Sequence, residues 1–230
     1  MRRPLLALAL ALAIPAVQAH DTDKDEHRPG QDISHVNRGI TAEAGRQYGD
    51  LETVNGGVNV ERGATADTVE TVNGGIRLED EAQVGSAETV NGGITAGERV
   101  KVARGAETVN GGIRFGFNSR VGGDIETVNG GITVKQTEVV GALRTVSGDV
   151  TVGAKSRIGG GIVVEKPQGT SWGWGKPRVP RIVIGPDAVV QGELRFERKV
   201  ELLVHTTAKI GPVSGATAVA YTDTLPARDD

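Results

Sequence analysis

The stretch Glu70-Thr71-Val72-Asn73-Gly74-Gly75-Ile76 decides the fold, because its first six residues recur from Glu52, Glu88, Glu107 and Glu126. A catalytic motif needs one copy; a motif repeated at a fixed interval describes a shape. The motif valines are Val54, Val72, Val90, Val109 and Val128, spaced by 18, 18, 19 and 19 residues. HVNRGI around Val36 and TVSGDV around Val146 extend the series by one weaker copy on each side.

A six-residue sub-period runs inside the repeat. From Val36 it passes through Ala42, Tyr48, Val54, Val60, Ala66, Val72, Leu78, Val84, Val90, Ala96 and Val102. After one extra residue it reaches Val109, Phe115 and Val121, and after another it reaches Val128, Val134, Val140, Val146, Val152, Ile158 and Val164. Every position is apolar. A second apolar residue often stands two earlier, as Ile76 before Leu78 and Val100 before Val102. Two apolar residues separated by a polar one make a short strand with one face inward. Three such strands per 18 to 19 residues predict a triangular, single-stranded parallel β-solenoid of about nine coils. Each coil alone cannot bury its apolar face, whereas the stack can. A six-residue period is familiar from left-handed solenoids, whereas the general preference of parallel crossovers favours a right-handed coil; both hands stay open, with the right-handed one favoured.

Residue by residue, this reading places the valine column in the core. The Asn-Gly-Gly step is a corner, with positive φ expected at the second glycine, because that position becomes Asp149 in the last copy. Asn37, Asn55, Asn73, Asn91, Asn110 and Asn129 are expected to stack as a side-chain amide ladder. Glu52, Glu70, Glu88, Glu107 and Glu126 stand two before the valine. Alternation from an inward valine would bury them, at high cost for stacked carboxylates. The column three before the valine (Leu51, Val69, Ala87, Ala106, Ile125, Leu143) is apolar throughout. It takes the inward place, a bulge is expected between the two columns, and the glutamates face outward. Arg144 stands where a sixth glutamate would, as a partner for Glu126.

The period breaks at Glu165–Pro180, EKPQGTSWGWGKPRVP, and resumes at Ile184, Val190, Phe196, Leu202 and Ala208. The expected organisation is a signal peptide over 1–19, a polar flexible leader over 20–32 and repeats over 33–164. An excursion loop over 165–180, final coils over 181–217 and a flexible tail over 218–230 follow. The first nineteen residues carry Arg2, Arg3, the run LLALALALAI and the small residues Val17 and Ala19, the pattern of an export signal. The run is too short to span a bilayer, so no transmembrane segment is expected in the mature chain. Removing those two arginines lowers the basic count from 26 to 24 against 29 acidic residues, a balance that speaks against nucleic acid as partner. Cysteine is absent, which excludes disulfides and a lipid-bearing Cys. The periplasm is the expected location, with secretion or the outer surface as alternatives.

Enzymatic solenoids of six-residue period use histidine as base or metal ligand. The four here, His20, His27, His35 and His205, avoid the central coils. The chain therefore reads as non-enzymatic, with no cofactor. The Glu column is a weak candidate for divalent cations and otherwise a solvated acidic face. The threonine column (Thr53, Thr71, Thr89, Thr108, Thr127, Thr145) is a weak candidate for an ice-binding ladder. Trp172 and Trp174, with Lys176 and Arg178 beside them, suit an anionic envelope glycan or lipid headgroup. Packing of the rings on the solenoid wall is the plainer alternative.

The ETVNGGI repeats resemble the short-coil, adhesin-type β-solenoids of bacterial envelopes. The segment Ile182–Phe196, IVIGPDAVVQGELRF, resembles the coils of polymer-forming, bactofilin-like proteins. The resemblance spans about 33 to 215 and rests on period and turn type. It implies a right-handed triangular solenoid and end-to-end assembly into homo-oligomers. Separately from the resemblance, an envelope polysaccharide or protein is an expected partner. Bactofilins of the usual kind are cytoplasmic, whereas this chain opens on an export signal. The resemblance therefore points to an envelope scaffold or adhesin-like role.

Overall fold

The computed structural model describes residues 30–167, 178–223 and 225. All regular structure among them is β-strand. Every strand pairing is parallel, and each strand pairs with its counterparts one coil earlier and later. Ten strands, from Ile40–Ala42 to Ala218–Tyr221, form one continuous sheet. The molecule is thus a parallel β-solenoid of about ten coils. The sequence reading of about nine ended the coils at 217. Ala218–Tyr221 adds one more strand, because it pairs in full register with Leu202–His205. At the other end, strand Gln31–His35 begins within the stretch expected to be leader.

The ten-stranded sheet is one face, here the third. The other two faces share a forked sheet. In coils two to four a single long strand covers both, as in Tyr48–Asn55, Thr65–Asn73 and Gln83–Thr89. In the fifth coil Val84 pairs with Val102 and Ala87 with Ala106, so a three-residue step becomes a four-residue step. The added residue divides the strand into Lys101–Val102 on the first face and Ala106–Thr108 on the second. This insertion lengthens the period from 18 to 19.

The core is a stack of columns. Ile76 and Leu78 with their counterparts point inward from the third face, Val84 and its counterparts from the first, and Leu51 and its counterparts from the second. Burying each such side chain stabilises the fold by about 1.5–3 kcal/mol relative to exposure. Two expectations need correction here. The motif valines are not core. Val54, Val72, Val90, Val109, Val128 and Val146 are half-buried and Val36 is 46% exposed, while the threonines before them are buried. Leu51 faces in, Glu52 out, Thr53 in and Val54 out, and the register to Val69, Glu70 and Thr71 is unbroken. Strict alternation therefore holds, and no bulge is needed. The valines sit in a column shielded above and below by other valines, which suits a β-branched residue on an outer sheet surface. The second correction is Val140. The corner after Val134 is one residue shorter than its counterparts, so Val139 pairs with Val121 in the core and Val140 is 47% exposed.

Candidate functional site

The repeated motif builds the second face and the corner beyond it. Each threonine hydroxyl donates to the carbonyl of the first corner residue one coil earlier: Thr71 to Gly56 at 2.8 Å, Thr89 to Gly74 at 2.9 Å, Thr108 to Gly92 at 2.8 Å. Thr53 does the same to Arg38, and Thr127 and Thr145 to Gly111 and Gly130. A buried hydroxyl is stable only with such a partner. The same carbonyl explains the first glycine. A Cβ on Gly74, Gly92, Gly111, Gly130 or Gly148 would overlap the carbonyl oxygen of the first glycine one coil earlier. Arg38 is tolerated because it stands in the first copy, with no earlier copy beneath it.

The second glycine looks the other way. A Cβ on Gly75 would lie 3.3 Å from the Gly93 carbonyl oxygen, and one on Gly93 2.9 Å from that of Gly112. Asp149 is tolerated because it is the last copy, and its side chain accepts from the Arg181 N–H at 2.9 Å. Contrary to expectation, neither glycine has positive φ. Left-handed residues instead occupy the corner between the third and first faces: Gly45, Gly63, Glu81, Arg99, Asn118, Gln136, Lys155 and Asp187. Gly45, Gly63, Asn118 and Asp187 are residue types that mark such a corner, whereas Glu81, Arg99, Gln136 and Lys155 are not. The motif glycines are there for close approach of backbone to backbone.

The six asparagines form one column on the corner. Asn55 donates through Nδ2 to Asn37 Oδ1, Asn73 to Asn55, Asn91 to Asn73, Asn110 to Asn91 and Asn129 to Asn110, all at 2.8–3.0 Å. The threonine column is buried and offers no surface to ice.

Glu52, Glu70, Glu88, Glu107 and Glu126 face outward in direct register. Burial between neighbouring columns raises all five carboxyls above their ordinary value. Glu88 and then Glu52 add to it at Glu70, Glu88 and then Asp124 at Glu107. Glu126 is pushed up to about 7, by burial first and Glu107 second. Arg144 stands 3.0 Å from Glu126 and 3.3 Å from Asp124 and works against the shift. Desolvation wins there because the carboxyl is also beside two other acids. Among the described residues no group of three or more His, Asp or Glu is placed to hold a metal ion.

Trp172, Trp174 and Lys176 lie outside the described residues, as does most of the segment around them. Arg178 is described. Its guanidinium meets Asp149 at 2.8 Å, and its carbonyl accepts from Arg198 at 3.1 Å. His35 and His205 lie in the first and ninth coils, and His205 Nδ1 is 2.9 Å from the Thr207 hydroxyl. Sequence reasoning missed a second charged column. Lys101, Arg120, Arg157 and Lys209 point out from the first face, each one residue before an inward apolar residue, and all are exposed, with Glu138 between Arg120 and Arg157 and Val189 between Arg157 and Lys209 in the same register. That constant offset was the available signal.

Among the described residues no helix is long and apolar enough to cross a membrane. Comparison with known proteins returns no family model, no curated relative and no solved structure that matches the chain.

Proposed function

We propose that the chain is a non-enzymatic structural rod of the bacterial cell envelope, adhesin-like or polymer-forming, that joins further copies end to end. The observation that carries this reading is the pair of strand edges on the third face. Among the described residues Ile40–Ala42 pairs only with Val58–Val60, and Ala218–Tyr221 only with the strand Glu201–His205. Neither edge strand contains a charged residue or a proline, the usual devices that keep edges from pairing. Both edges run parallel within one sheet, so the tenth coil of one copy and the first coil of the next offer matching partners. The export pattern over residues 1–19 supports an envelope location, with the periplasm favoured. The resemblance to adhesin-type and bactofilin-like solenoids supports a scaffold.

Sedimentation velocity of the full chain over a dilution series tests the assembly. Multiples of the single rod are expected, and Ala220→Pro, which removes an edge N–H, is expected to leave single rods. A strict monomer at high concentration would remove the polymer reading. Expression in a Gram-negative host followed by N-terminal sequencing tests the location. A mature chain that starts at His20 supports it, and an unprocessed cytoplasmic chain overturns it.

A further inference from the structure

Five rungs of the asparagine ladder stand in one sequence context. Asn55, Asn73, Asn91, Asn110 and Asn129 each follow a valine and precede two glycines, and all five are exposed. Asn-Gly is the dipeptide best suited to intramolecular deamidation, because glycine offers no side chain to hinder attack by its own nitrogen. That nitrogen belongs to Gly56, Gly74, Gly92, Gly111 or Gly130, and among the described residues none of the five N–H groups donates a hydrogen bond. In an unfolded chain the five sites would react alike. The fold makes them unequal.

The ladder ties its interior rungs twice and its last rung once. Asn55, Asn73, Asn91 and Asn110 each donate through Nδ2 to the rung before and accept at Oδ1 from the rung after. Asn129 donates to Asn110 at 3.0 Å, but the next position in the column is Ser147. Among the described residues nothing donates to Asn129 Oδ1. Reaction requires the carboxamide to turn from the rod axis toward the following N–H, which breaks every tie it makes. One tie fewer, at the ordinary worth of a neutral hydrogen bond, makes that turn roughly two- to tenfold more frequent.

We propose that Asn129 is a site of spontaneous deamidation, and that the modification then passes rung by rung toward Asn55. The Gly130 nitrogen attacks Asn129 Cγ. The N–Cγ bond forms, the Cγ–Nδ2 bond breaks, and Nδ2 leaves as ammonia with the proton of the Gly130 N–H. Water then adds to one of the two carbonyl carbons of the succinimide ring, and the bond from that carbon to the ring nitrogen breaks. Opening at Cγ gives aspartate; opening at the backbone carbon gives isoaspartate. Either product has a carboxylate in place of the carboxamide and offers no N–H to Asn110 Oδ1. Asn110 is then held by one tie, as Asn129 was, and becomes the next site. Isoaspartate also adds a carbon to the backbone, at a corner where Gly130 already lies too close to the Gly111 carbonyl to accept a Cβ.

Peptide mapping by mass spectrometry tests it. Trypsin separates the sites, since Asn55, Asn73, Asn91, Asn110 and Asn129 fall in peptides 47–62, 63–77, 78–99, 105–114 and 121–135. The folded full chain is held in warm, mildly alkaline buffer and sampled over time, beside the same chain unfolded in guanidinium. The unfolded chain is expected to convert all five sites at one rate. The folded chain is expected to convert Asn129 first, roughly two- to tenfold ahead of the interior rungs, with Asn110 next. Asn91→Ala removes one rung and takes one tie from each neighbour. The initial rates at Asn73 and Asn110 are then expected to rise to that of Asn129, while Asn55 keeps its own. If this variant fails to fold by circular dichroism, the wild-type order decides alone. A folded chain in which all five sites convert alike, or in which another rung leads, overturns the proposal. So does one whose Asn129 stays intact while the unfolded chain converts. Unchanged rates at Asn73 and Asn110 in folded Asn91→Ala also overturn it.

Discussion

Coils two to six and coils eight to ten turn the same corner by different means. In the regular coils repetition satisfies the backbone. The Asn91 N–H donates to the Val72 carbonyl at 2.7 Å, and Asn110 and Asn129 donate to Val90 and Val109 at 2.8 Å. After Ser147, whose N–H reaches Val128, the next corner is replaced by the long excursion from Glu165. The Val146 carbonyl then accepts from Arg198 Nη1 at 2.9 Å, while the other arm of that guanidinium reaches Arg178. A single long cation does what a backbone N–H did one coil earlier. The inner side changes with it. Thr145 is followed in register by Val164 and then Phe196. Without the Asn-Gly-Gly corner, a hydroxyl gives way to apolar bulk. Small residues are therefore a condition of the regular corner and not of the solenoid as such.

The largest test of that contrast is at the first glycine. Gly92→Ala drives a methyl into the Gly74 carbonyl, a backbone group that cannot move aside without shifting a coil. A loss of about 3 kcal/mol is expected, at the top of the range for overpacking. Gly75→Ala, whose methyl would lie 3.3 Å from its nearest neighbour, is expected to cost about 1 kcal/mol or less. Urea midpoints of the two variants check the order. Equal losses would show that both glycines serve a common backbone conformation instead of two separate contacts.

The architecture was legible in the sequence because a solenoid repeats its core. The columns of Ile76, Leu78, Val84 and Leu51 could be read from spacing alone. Two things were not. The motif valine recurs as faithfully as a core residue, yet faces outward, since periodicity reports register and not direction. Direction was decided by Thr71, whose hydroxyl looks like a surface feature until its partner, the Gly56 carbonyl, is known. The positive-φ corner was hidden because Glu81, Arg99 and Lys155 occupy it. The outward position of the Glu column and the pairing of Glu126 with Arg144 were argued from neighbouring columns, and both are seen.

Removing that hydroxyl is the next largest effect. Thr89→Val keeps shape and leaves the Gly74 carbonyl without the hydroxyl that lies 2.9 Å from it. A loss of about 1–2 kcal/mol is expected. Val164→Thr makes the reverse change one coil after Thr145, with Gly148 as the first corner glycine one coil earlier, and it is expected to cost less than Thr89→Val because a glycine carbonyl stands in the place of the hydroxyl's acceptor. A Val164→Thr as costly as Thr89→Val would show that the corner at Gly148 has already left the regular chemistry.

Glu126 makes the regular region sensitive to pH. Its folded value is about 7 and its ordinary value 4.5. The folded state therefore binds the proton more tightly than the unfolded chain. The resulting stability is fully present below the ordinary value and is lost as pH rises through about 7. Glu126→Gln keeps a neutral side chain at every pH, and Arg144 retains Asp124. The variant is expected to match wild type near pH 4 and to exceed it by about 1 kcal/mol at pH 8, after solvent screening. Thermal melts across that window check the slope. A variant less stable than wild type at pH 8 would mean that the Arg144 ion pair outweighs desolvation.

The smallest effect lies at the boundary itself. Ser147 occupies the asparagine position of the seventh coil, and its N–H repeats the regular bond to Val128 at 3.0 Å. The amide ladder stops one rung short of it, at Asn129. Ser147→Asn would add that rung, with Nδ2 donating to Asn129 Oδ1. An exposed amide bond contributes little, about 0.5 kcal/mol. Ser147→Ala controls for the loss of the serine and is expected to give no gain. If Ser147→Asn also gives none, the backbone at Ser147 has already left the regular corner. The change between the two regions would then begin one coil before the excursion that makes it visible.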